Sequence, residues 1–304
     1  MPNLAILDLG TNTFHLLIAD ENGKFLLDEK QPVKIGQAGI ESGLISDAGY
    51  ERARLCFQDY KVKWEQFGVK EPVVIATSAF RSAKNGIEIA EKLNQEFRIN
   101  IQIIDGNKEA DYIFNGVINA VKTSESILIV DIGGGSVEFL IAEGEEIKWK
   151  KSFEIGGQRL IERFHFIDPF PQTSFKPFVH FLSESLEELD QVLEKYPTDI
   201  LVGSSGAFDT IVDIIYAQQN KVLSSEIASV EIDIPEFQSI LIDLWFKNRE
   251  ERLKVPGMTP LRVDMIVVAC LLIQFLIGKY QFSTLINSKY ALKEGVLYSI
   301  LAKK

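Results

Sequence analysis

Two short stretches of the chain share one pattern of apolar, acidic and glycine positions. The later stretch, ILIVDIGGGSVEFLIA at residues 127–142, has an aliphatic run before Asp131, then three glycines, a serine and a second apolar run. This pattern predicts a strand, a tight turn and another strand, because glycine adopts backbone angles that other residues avoid. A shift of 123 residues brings LAILDLGTNTFHLLIA, residues 4–19, onto it, with Asp8 on Asp131. The repeat indicates an internal duplication.

Beyond these hairpins, apolar periodicity predicts a similar order of elements in each half. The first half is expected to continue as strand, helix, strand, helix, strand and helix at about 25–35, 46–67, 73–77, 85–97, 101–104 and 106–121. Strands of the second half are expected at 127–132, 136–142, 147–155, 200–203 and 284–286. Its helices are expected at 158–164, 174–196, 206–218 and 235–247, from 260 onward, and at 291–301. We therefore expect an α/β fold of two duplicated domains, 1–124 and 125–304, with a cleft between them and the last helix able to pack back on the first.

Composition and charge narrow the class of protein. The 304 residues, 46% hydrophobic and 25% charged, suit an ordinary globular protein of two domains. The net charge of −11 argues against general affinity for nucleic acid or anionic membranes. The apolar run at 265–278 is shorter than the roughly 20 residues that span a bilayer, so we expect a buried helix there.

The cysteines and the first residues bear on the compartment. Cys56 and Cys270 lie far apart without metal-ligand spacing, and the chain begins directly with a predicted strand, with no targeting signal. We therefore expect reduced thiols and a cytoplasmic location. The sequence does not decide the oligomeric state and is compatible with a homodimer.

The two glycine turns are candidate phosphate-binding loops. Consecutive backbone amides in such a turn point into one concavity, and glycine lets a phosphate approach the backbone. No glycine-rich loop ends in Gly-Lys-Ser/Thr, and GGGSVEF continues into a strand where a dinucleotide-binding turn would open a helix. A purely structural hairpin turn is the alternative. The candidate residues are Gly10, Thr11, Asn12 and Thr13 in the first turn and Gly133, Gly134, Gly135 and Ser136 in the second.

Two carboxylates flank the second turn. Asp131 closes one strand and Glu138 lies two residues beyond Ser136 on the next, and such hard oxygen ligands suit a Mg²⁺ ion that keeps most of its waters. Asp8, the equivalent of Asp131, either supports the same ion or caps its own hairpin. His15, the equivalent of Glu138, is either a core residue or a ligand. With only three histidines in the chain, we do not expect a multi-histidine metal site.

Four ordered motifs point to one family. They are DLGTNTFHLLIA from Asp8, ATSAFRSAKN from Ala76, GNKEADYIFNGV from Gly106 and DIGGGSVEF from Asp131. With the later GSSGAFDTI, LRVDMI and LKEGVL, they resemble the exopolyphosphatase and guanosine pentaphosphate phosphohydrolase family over almost the whole chain. That family resembles in turn the actin, hexokinase and Hsp70-like ATPase superfamily. The resemblance therefore implies two ribonuclease H-like, actin-like ATPase domains.

The resemblance also implies an activity. It implies release of terminal phosphate from polyphosphate or guanosine pentaphosphate, with Mg²⁺ or another divalent cation, and places Glu109 at the position assigned to catalysis. Arg81 follows a predicted buried strand, where its planar guanidinium would grip phosphate, and Arg262 is a second candidate. The alternative for Arg81 is a surface ion pair. The Ser205-Gly206 turn either holds a nucleotide moiety or only joins a strand to a helix.

Three positions depart from the family's pattern. Lys108 stands where a second glutamate is common, and Ala291 and Lys293 replace a glycine and an arginine. The last change puts a phosphate contact from that position in question. The chain resembles the short, two-domain form of the family, which leaves a preference for long polymers open.

Three functions are consistent with these residues. The first is a Mg²⁺-dependent phosphoanhydride hydrolase in which Glu109 deprotonates the attacking water. The second is a non-catalytic sensor that binds guanosine polyphosphates or ATP in the same cleft. The third is a small-molecule kinase, which is disfavoured because the sequence shows no sugar-site signature. The sequence does not rank polyphosphate against guanosine pentaphosphate, since both present the same terminal anhydride.

Overall fold

A computed structural model describes residues 3–37, 43–164, 167–224 and 226–303. By its contacts the chain divides into two compact units, one of Met1–Gly116, Gly133–Ser136 and Ala291–Lys304, the other of Val117–Ile132 and Val137–Tyr290. The C-terminal helix and the turn of the second hairpin therefore group with the first unit. The expected domain boundary after residue 124 stays a prediction.

The secondary structure follows the predicted order. The strands are β1 (Leu4–Leu9), β2 (Thr13–Ala19), β3 (Phe25–Pro32), β4 (Val73–Ala76), β5 (Ile101–Ile103), β6 (Ser126–Ile132), β7 (Val137–Glu143), β8 (Glu146–Phe153), β9 (Ile200–Ser204), β10 (Ser229–Ile232) and β11 (Thr284–Ser288). The helices are α1 (Asp47–Gln66), α2 (Ser78–Ser82), α3 (Gly86–Phe97), α4 (Gly106–Ala120), α5 (Gly157–Arg163), α6 (Gln172–Ser185), α7 (Glu187–Lys195), α8 (Gly206–Gln218), α9 (Ile234–Phe246), α10 (Arg249–Arg252), α11 (Ile266–Tyr280) and α12 (Leu292–Leu301).

The two sheets have matching topology. The first has the strand order β3-β2-β1-β4-β5, and the second has β8-β7-β6-β9-β11 with β10 added at its edge. In each sheet the first three strands pair antiparallel, and the first strand also pairs parallel with a later one. The hairpin registers are equivalent, because Asp8 faces His15 across β1 and β2 as Asp131 faces Glu138 across β6 and β7. The predicted α/β fold with an internal duplication is confirmed.

Each unit has its own apolar core. In the first, β1 and β2 pack under α1, where the rings of Phe14 and Phe57 lie 6.0 Å apart, and the buried Tyr60 hydroxyl donates to the Phe14 carbonyl over 2.8 Å. In the second, β6 is buried along nearly its whole length, as expected of a strand covered on both faces. Eleven of the fifteen residues of α11 are buried there, which confirms the expected buried helix.

Several predicted elements need correction. The helix expected at 174–196 is two helices, α6 and α7, which break at Leu186; three acidic residues in the first turn of α7 favour a new helix N-terminus there. The helix expected from 260 onward begins only at Ile266, because residues 259–265 form hydrogen-bonded turns. The short elements α2, β10 and α10 were not predicted. Within the described ranges, no helix is both long and apolar enough to cross a bilayer.

Candidate active site

The first glycine turn is fixed by backbone hydrogen bonds. The Gly10 amide donates to the Thr13 carbonyl over 3.1 Å, which closes the turn between β1 and β2. The Asn12 carbonyl accepts from the amides of Val33 and Lys34 at 3.1 and 2.8 Å, so the segment after β3 holds the turn from outside. The side chains of Thr11 and Thr13 are buried.

The second glycine turn repeats this geometry. The Gly133 amide donates to the Ser136 carbonyl over 3.0 Å, as Gly10 does to Thr13 in the first turn. A β-carbon on Gly134 would lie 3.0 Å from Asn12 Nδ2, and one on Gly135 would lie 2.8 Å from Thr11 Oγ1.

These contacts lie within the first unit, to which both turns belong. The β-carbon that Gly135 lacks would also lie 2.4 Å from Ser78 Oγ. The structure therefore brings together the two predicted phosphate loops, and a β-carbon at Gly135 would force the side chains of Ser78 and Thr11 to move. Phosphate binding by these residues stays a prediction.

Helix α2 connects these turns to Glu109, the predicted catalytic residue. It follows β4 directly, begins with the buried Ser78, and carries Arg81 one turn later. Arg81 Nη1 donates to Glu109 Oε2 over 2.8 Å and to the Ile104 carbonyl over 3.1 Å. Glu109, in the first turn of α4, is 7% exposed. Arg81 thus forms an ion pair, as its alternative predicted, but with the residue assigned to catalysis and away from the open surface.

The two predicted metal ligands of the second hairpin face each other across neighbouring strands. Asp131 and Glu138 are register partners in β6 and β7, and both are buried. Asp131 accepts hydrogen bonds of 2.7 Å from the hydroxyls of Ser204 and Ser205, and Glu138 accepts one of 2.7 Å from Ser152. Burial raises the pKa of the Asp131 carboxyl, and the two serine hydroxyls oppose that shift.

This donor set fits a divalent cation. Two carboxylates on facing positions supply the hard oxygen atoms that Mg²⁺ prefers, and Mg²⁺ is usually held by one or two carboxylates together with substrate phosphates. In the described part of the chain, no three His, Cys, Asp or Glu side chains are grouped as metal ligands. Asp8 lies opposite His15 in the first hairpin, and its role as a ligand stays a prediction.

Arg262 packs on the turn that follows β9. A β-carbon on Gly206 would lie 1.7 Å from Arg262 Cζ, so the guanidinium occupies the space above this glycine. Burial lowers the pKa of Arg262, while the carboxylates of Asp209 and Asp131 oppose the shift. Arg262 is therefore an electrostatic neighbour of the predicted metal ligand, and its contact with phosphate stays a prediction.

The sequence analysis missed the hydroxyl groups that hold these carboxylates. Ser204 is the register partner of Asp131 across the parallel strands β6 and β9, and Ser152 is the partner of Glu138 across β7 and β8. The polar residues at the carboxyl end of a predicted strand were the available signal. Their partners depend on which strands are neighbours, which the sequence does not state.

The residues that depart from the family's pattern are held by local contacts. The Lys293 ammonium group is buried beside the Glu294 carboxylate and 3.3 Å from Asp28 Oδ2. Lys108 lies over the ring of Tyr112, 4.5 Å from its centroid. The Ala291 amide donates to the Glu294 side chain over 2.9 Å, which caps α12. Lys293 is thus engaged in ion pairs inside the first unit.

Comparisons with known proteins agree on one family. The model of the Ppx/GppA phosphatase family matches residues 17–304. The crystal structure of an exopolyphosphatase from Cytophaga hutchinsonii is 37% identical, covers 99% of this chain and 98% of its own, and superposes with a TM-score of 0.95.

Two curated relatives are longer than this chain. A bifunctional 3-dehydroquinate synthase/phosphatase of Fusobacterium nucleatum is 28% identical over 96% of this chain and 46% of that protein. A guanosine-5'-triphosphate,3'-diphosphate pyrophosphatase of Vibrio vulnificus is 26% identical over 99% of this chain and 60% of that protein. The chain thus spans between about half and three-fifths of the length of these relatives.

Proposed function

Because the chain belongs to the Ppx/GppA phosphatase family, we propose that it hydrolyses the terminal phosphoanhydride bond of inorganic polyphosphate or of guanosine pentaphosphate. The similar proteins named for these two substrates support both choices. Both substrates end in the same phosphoanhydride, so the same glycine turns of this chain would bind either one.

The placement of α2 is the observation on which this proposal mainly depends. Its first residue, Ser78, packs against the glycine turn at Gly135, and Arg81 contacts Glu109. Three residues of helix rise by about 4.5 Å. A phosphate held at the turns would therefore lie within reach of both a guanidinium and a buried carboxylate.

In the proposed reaction each group has one task. The backbone amides of the turns hold the oxygens of the terminal phosphate, and Arg81 offsets the negative charge that spreads over them. Glu109 orients a water molecule and accepts its proton as the water oxygen bonds to phosphorus. The bridging P–O bond breaks, and inorganic phosphate leaves together with the shortened polyphosphate or the nucleotide that has lost one phosphate. No covalent intermediate with the protein is required.

We propose that Asp131 and Glu138 hold the divalent cation. Mg²⁺ bound there would neutralise phosphate charge, which this acidic chain otherwise repels. The hydroxyl groups of Ser152, Ser204 and Ser205 donate hydrogen bonds to the two carboxylates and would orient them for that task. A cytoplasmic location and a homodimer remain proposals of the same kind.

One observation favours a second function, the non-catalytic sensor. A carboxylate that accepts a hydrogen bond from an arginine is a weaker base than a free one, because the guanidinium stabilises its ionised form. If the Arg81–Glu109 pair persists when the ligand binds, Glu109 would hold the Arg81 guanidinium in place without activating water.

Phosphate release separates these functions. The purified protein is incubated with polyphosphate, guanosine pentaphosphate and ATP, each with Mg²⁺ and after chelation, and free phosphate is measured beside equilibrium binding. Mg²⁺-dependent release from either of the first two substrates supports the hydrolase. Binding without release from any of the three would contradict it and favour the sensor.

A further inference from the structure

The backbone of Ser205 is strained in a way that a turn alone does not explain. Its φ of 73° and ψ of 179° lie in a region that is almost exclusive to glycine. Arg98 and Gln281 also have positive φ, but both end helices in the ordinary left-handed conformation, with ψ of 51° and 38°. Strain of this kind persists only where surrounding contacts impose it.

The side chain of Ser205 does not cap the helix that follows it. Ser205 is the N-cap residue of α8, where a serine hydroxyl normally accepts a hydrogen bond from the first turn of the helix, yet no such bond forms. Instead its hydroxyl lies 2.7 Å from both Oδ1 and Oδ2 of Asp131. The strained backbone therefore serves to place this hydroxyl on the carboxylate.

The residues on either side of Ser205 also have defined contacts. Gly206 lies directly under the guanidinium of Arg262, which leaves no space for a β-carbon. Ser204, on the other side, is the register partner of Asp131 and donates to its Oδ2 over 2.7 Å. The turn is thus held from both sides, and its hydroxyl groups converge on one carboxylate.

The hydrogen bonds fix the orientation of the Asp131 carboxylate. Rotation about the last bond of an aspartate is normally broad, but a hydroxyl located between both oxygens restrains it. A carboxylate offers about two acceptor sites on each oxygen. Among the described residues, Ser204 and Ser205 approach Oδ2 and only Ser205 approaches Oδ1, so Oδ1 keeps one acceptor site in a fixed direction.

We propose that Ser205 is a positioning residue: its hydroxyl, aimed by a strained backbone, holds Asp131 so that the remaining acceptor site of Oδ1 is presented to the divalent cation. This inference rests on the proposed function for the cation and assigns Ser205 no contact with substrate. The competing explanation is that Ser205 only joins β9 to α8, in which case its hydroxyl is dispensable for cation binding.

Two substitutions separate these explanations. Ser205→Ala and Ser205→Gly both remove the hydroxyl, but only glycine relieves the strained φ. Each variant and the wild type are titrated with Mn²⁺, used as a spectroscopic substitute for Mg²⁺, and their melting temperatures are measured. Arg98→Gly is the matched control, because it relieves a positive φ at an exposed helix end that has no role in the proposed site.

A positioning role predicts that affinity follows the hydroxyl and stability follows the backbone. The Kd for Mn²⁺ should rise about tenfold or more in both Ser205 variants, as is typical when a residue that orients a metal ligand is removed. Ser205→Gly should melt at a higher temperature than Ser205→Ala. Arg98→Gly should leave the Kd unchanged. Raising the Mg²⁺ concentration should recover part of the lost phosphate release.

Other outcomes overturn the proposal. A wild-type Kd in Ser205→Gly would show that the hydroxyl is dispensable. Failure of the wild type to bind Mn²⁺ would show that there is no cation for Asp131 to hold. If the wild type binds Mn²⁺ and the Kd rises in both variants, but no substrate releases phosphate, the proposed hydrolase is wrong while the role of Ser205 stands.

Discussion

Replacing Glu109 by glutamine tests the residue that the proposed mechanism needs most. The substitution keeps the size of the side chain and an acceptor for Arg81, but it removes the base and the negative charge. Both groups are partly shielded from water, with side-chain exposures of 20% for Arg81 and 9% for Glu109. The change should therefore affect turnover and stability by different and separable amounts.

The expected magnitudes follow from this environment. A positioned general base typically contributes about 10²–10⁴-fold to the rate, so kcat should fall by at least about two orders of magnitude. Loss of one partner from a fully buried pair costs about 3–5 kcal/mol, whereas exposed pairs contribute about 0–1 kcal/mol. The Arg81–Glu109 pair is intermediate in exposure, and the side-chain oxygen of glutamine can still accept a hydrogen bond from Arg81. We therefore expect the free energy of unfolding to fall by about 1–2 kcal/mol, or the Tm by roughly 2–6 °C.

Asp105→Asn provides the matched control. Asp105 is exposed at the start of the same helix, where its Oδ1 accepts from the Lys108 amide over 2.8 Å. Its substitution removes one carboxylate charge near the same helix N-terminus without touching Arg81. Such a charge interacts with the helix dipole by about 0.3–1 kcal/mol, so Tm should change slightly and kcat should stay at the wild-type value.

Phosphate release at saturating substrate and thermal melting are measured on all three proteins. A Glu109→Gln variant that releases phosphate within a few-fold of the wild-type rate would refute the general-base role, even if its Tm falls as expected. In that case the Arg81–Glu109 contact would be structural, and the attacking water would need another base.

Four further predictions concern other parts of the structure. Gly206→Ala should displace the Arg262 guanidinium and lower phosphate release. A wild-type rate in this variant would show that the position of the Arg262 guanidinium does not matter for the reaction. Lys293→Met should lower the free energy of unfolding by about 3 kcal/mol, because it leaves the Glu294 carboxylate buried without its cation. Burial alone would lower the pKa of Lys293, but the neighbouring carboxylates raise it. The contribution of Lys293 to the free energy of unfolding should therefore be constant below pH ~10.4 and disappear as the pH rises through the raised pKa. Denaturant titrations at several pH values measure this contribution. Burial raises the pKa of Cys270 to about 12, so a thiol reagent at pH 8 should label it only after unfolding.

Much of the fold was predictable because its signals are local. The helix expected at about 46–67 is α1, and its N-cap is Ser46, whose hydroxyl accepts from the Gly49 amide over 3.1 Å. The glycine turns and their flanking apolar strands identified both hairpins. The break at Leu186 was missed because the hydrophobic period continues through it. Strand β10 was missed because it has only four residues, of which one is fully buried, and so carries little periodicity.

The candidate site was predictable only in part. Residue type and spacing suggested the glycine turns, the carboxylates of the second hairpin and Glu109. They did not suggest that Arg81 contacts Glu109, since β4 and β5 must first pair to bring α2 beside α4. They likewise did not suggest the hydroxyl groups on Asp131, which depend on β9 lying next to β6. Contacts between distant segments follow from strand order, and strand order is decided by packing.

The two hairpins show why a cation is expected in only one of them. In the first, Asp8 faces His15, a side chain that adds no second negative charge. In the second, Asp131 faces Glu138 at the equivalent register, and both are buried. Two like charges on directly opposed positions repel each other, and burial increases the cost. The serine hydroxyls offset part of this cost, and a divalent cation would offset the rest. The same scaffold thus leads us to expect the cation at the second hairpin, where the equivalent of His15 is a glutamate.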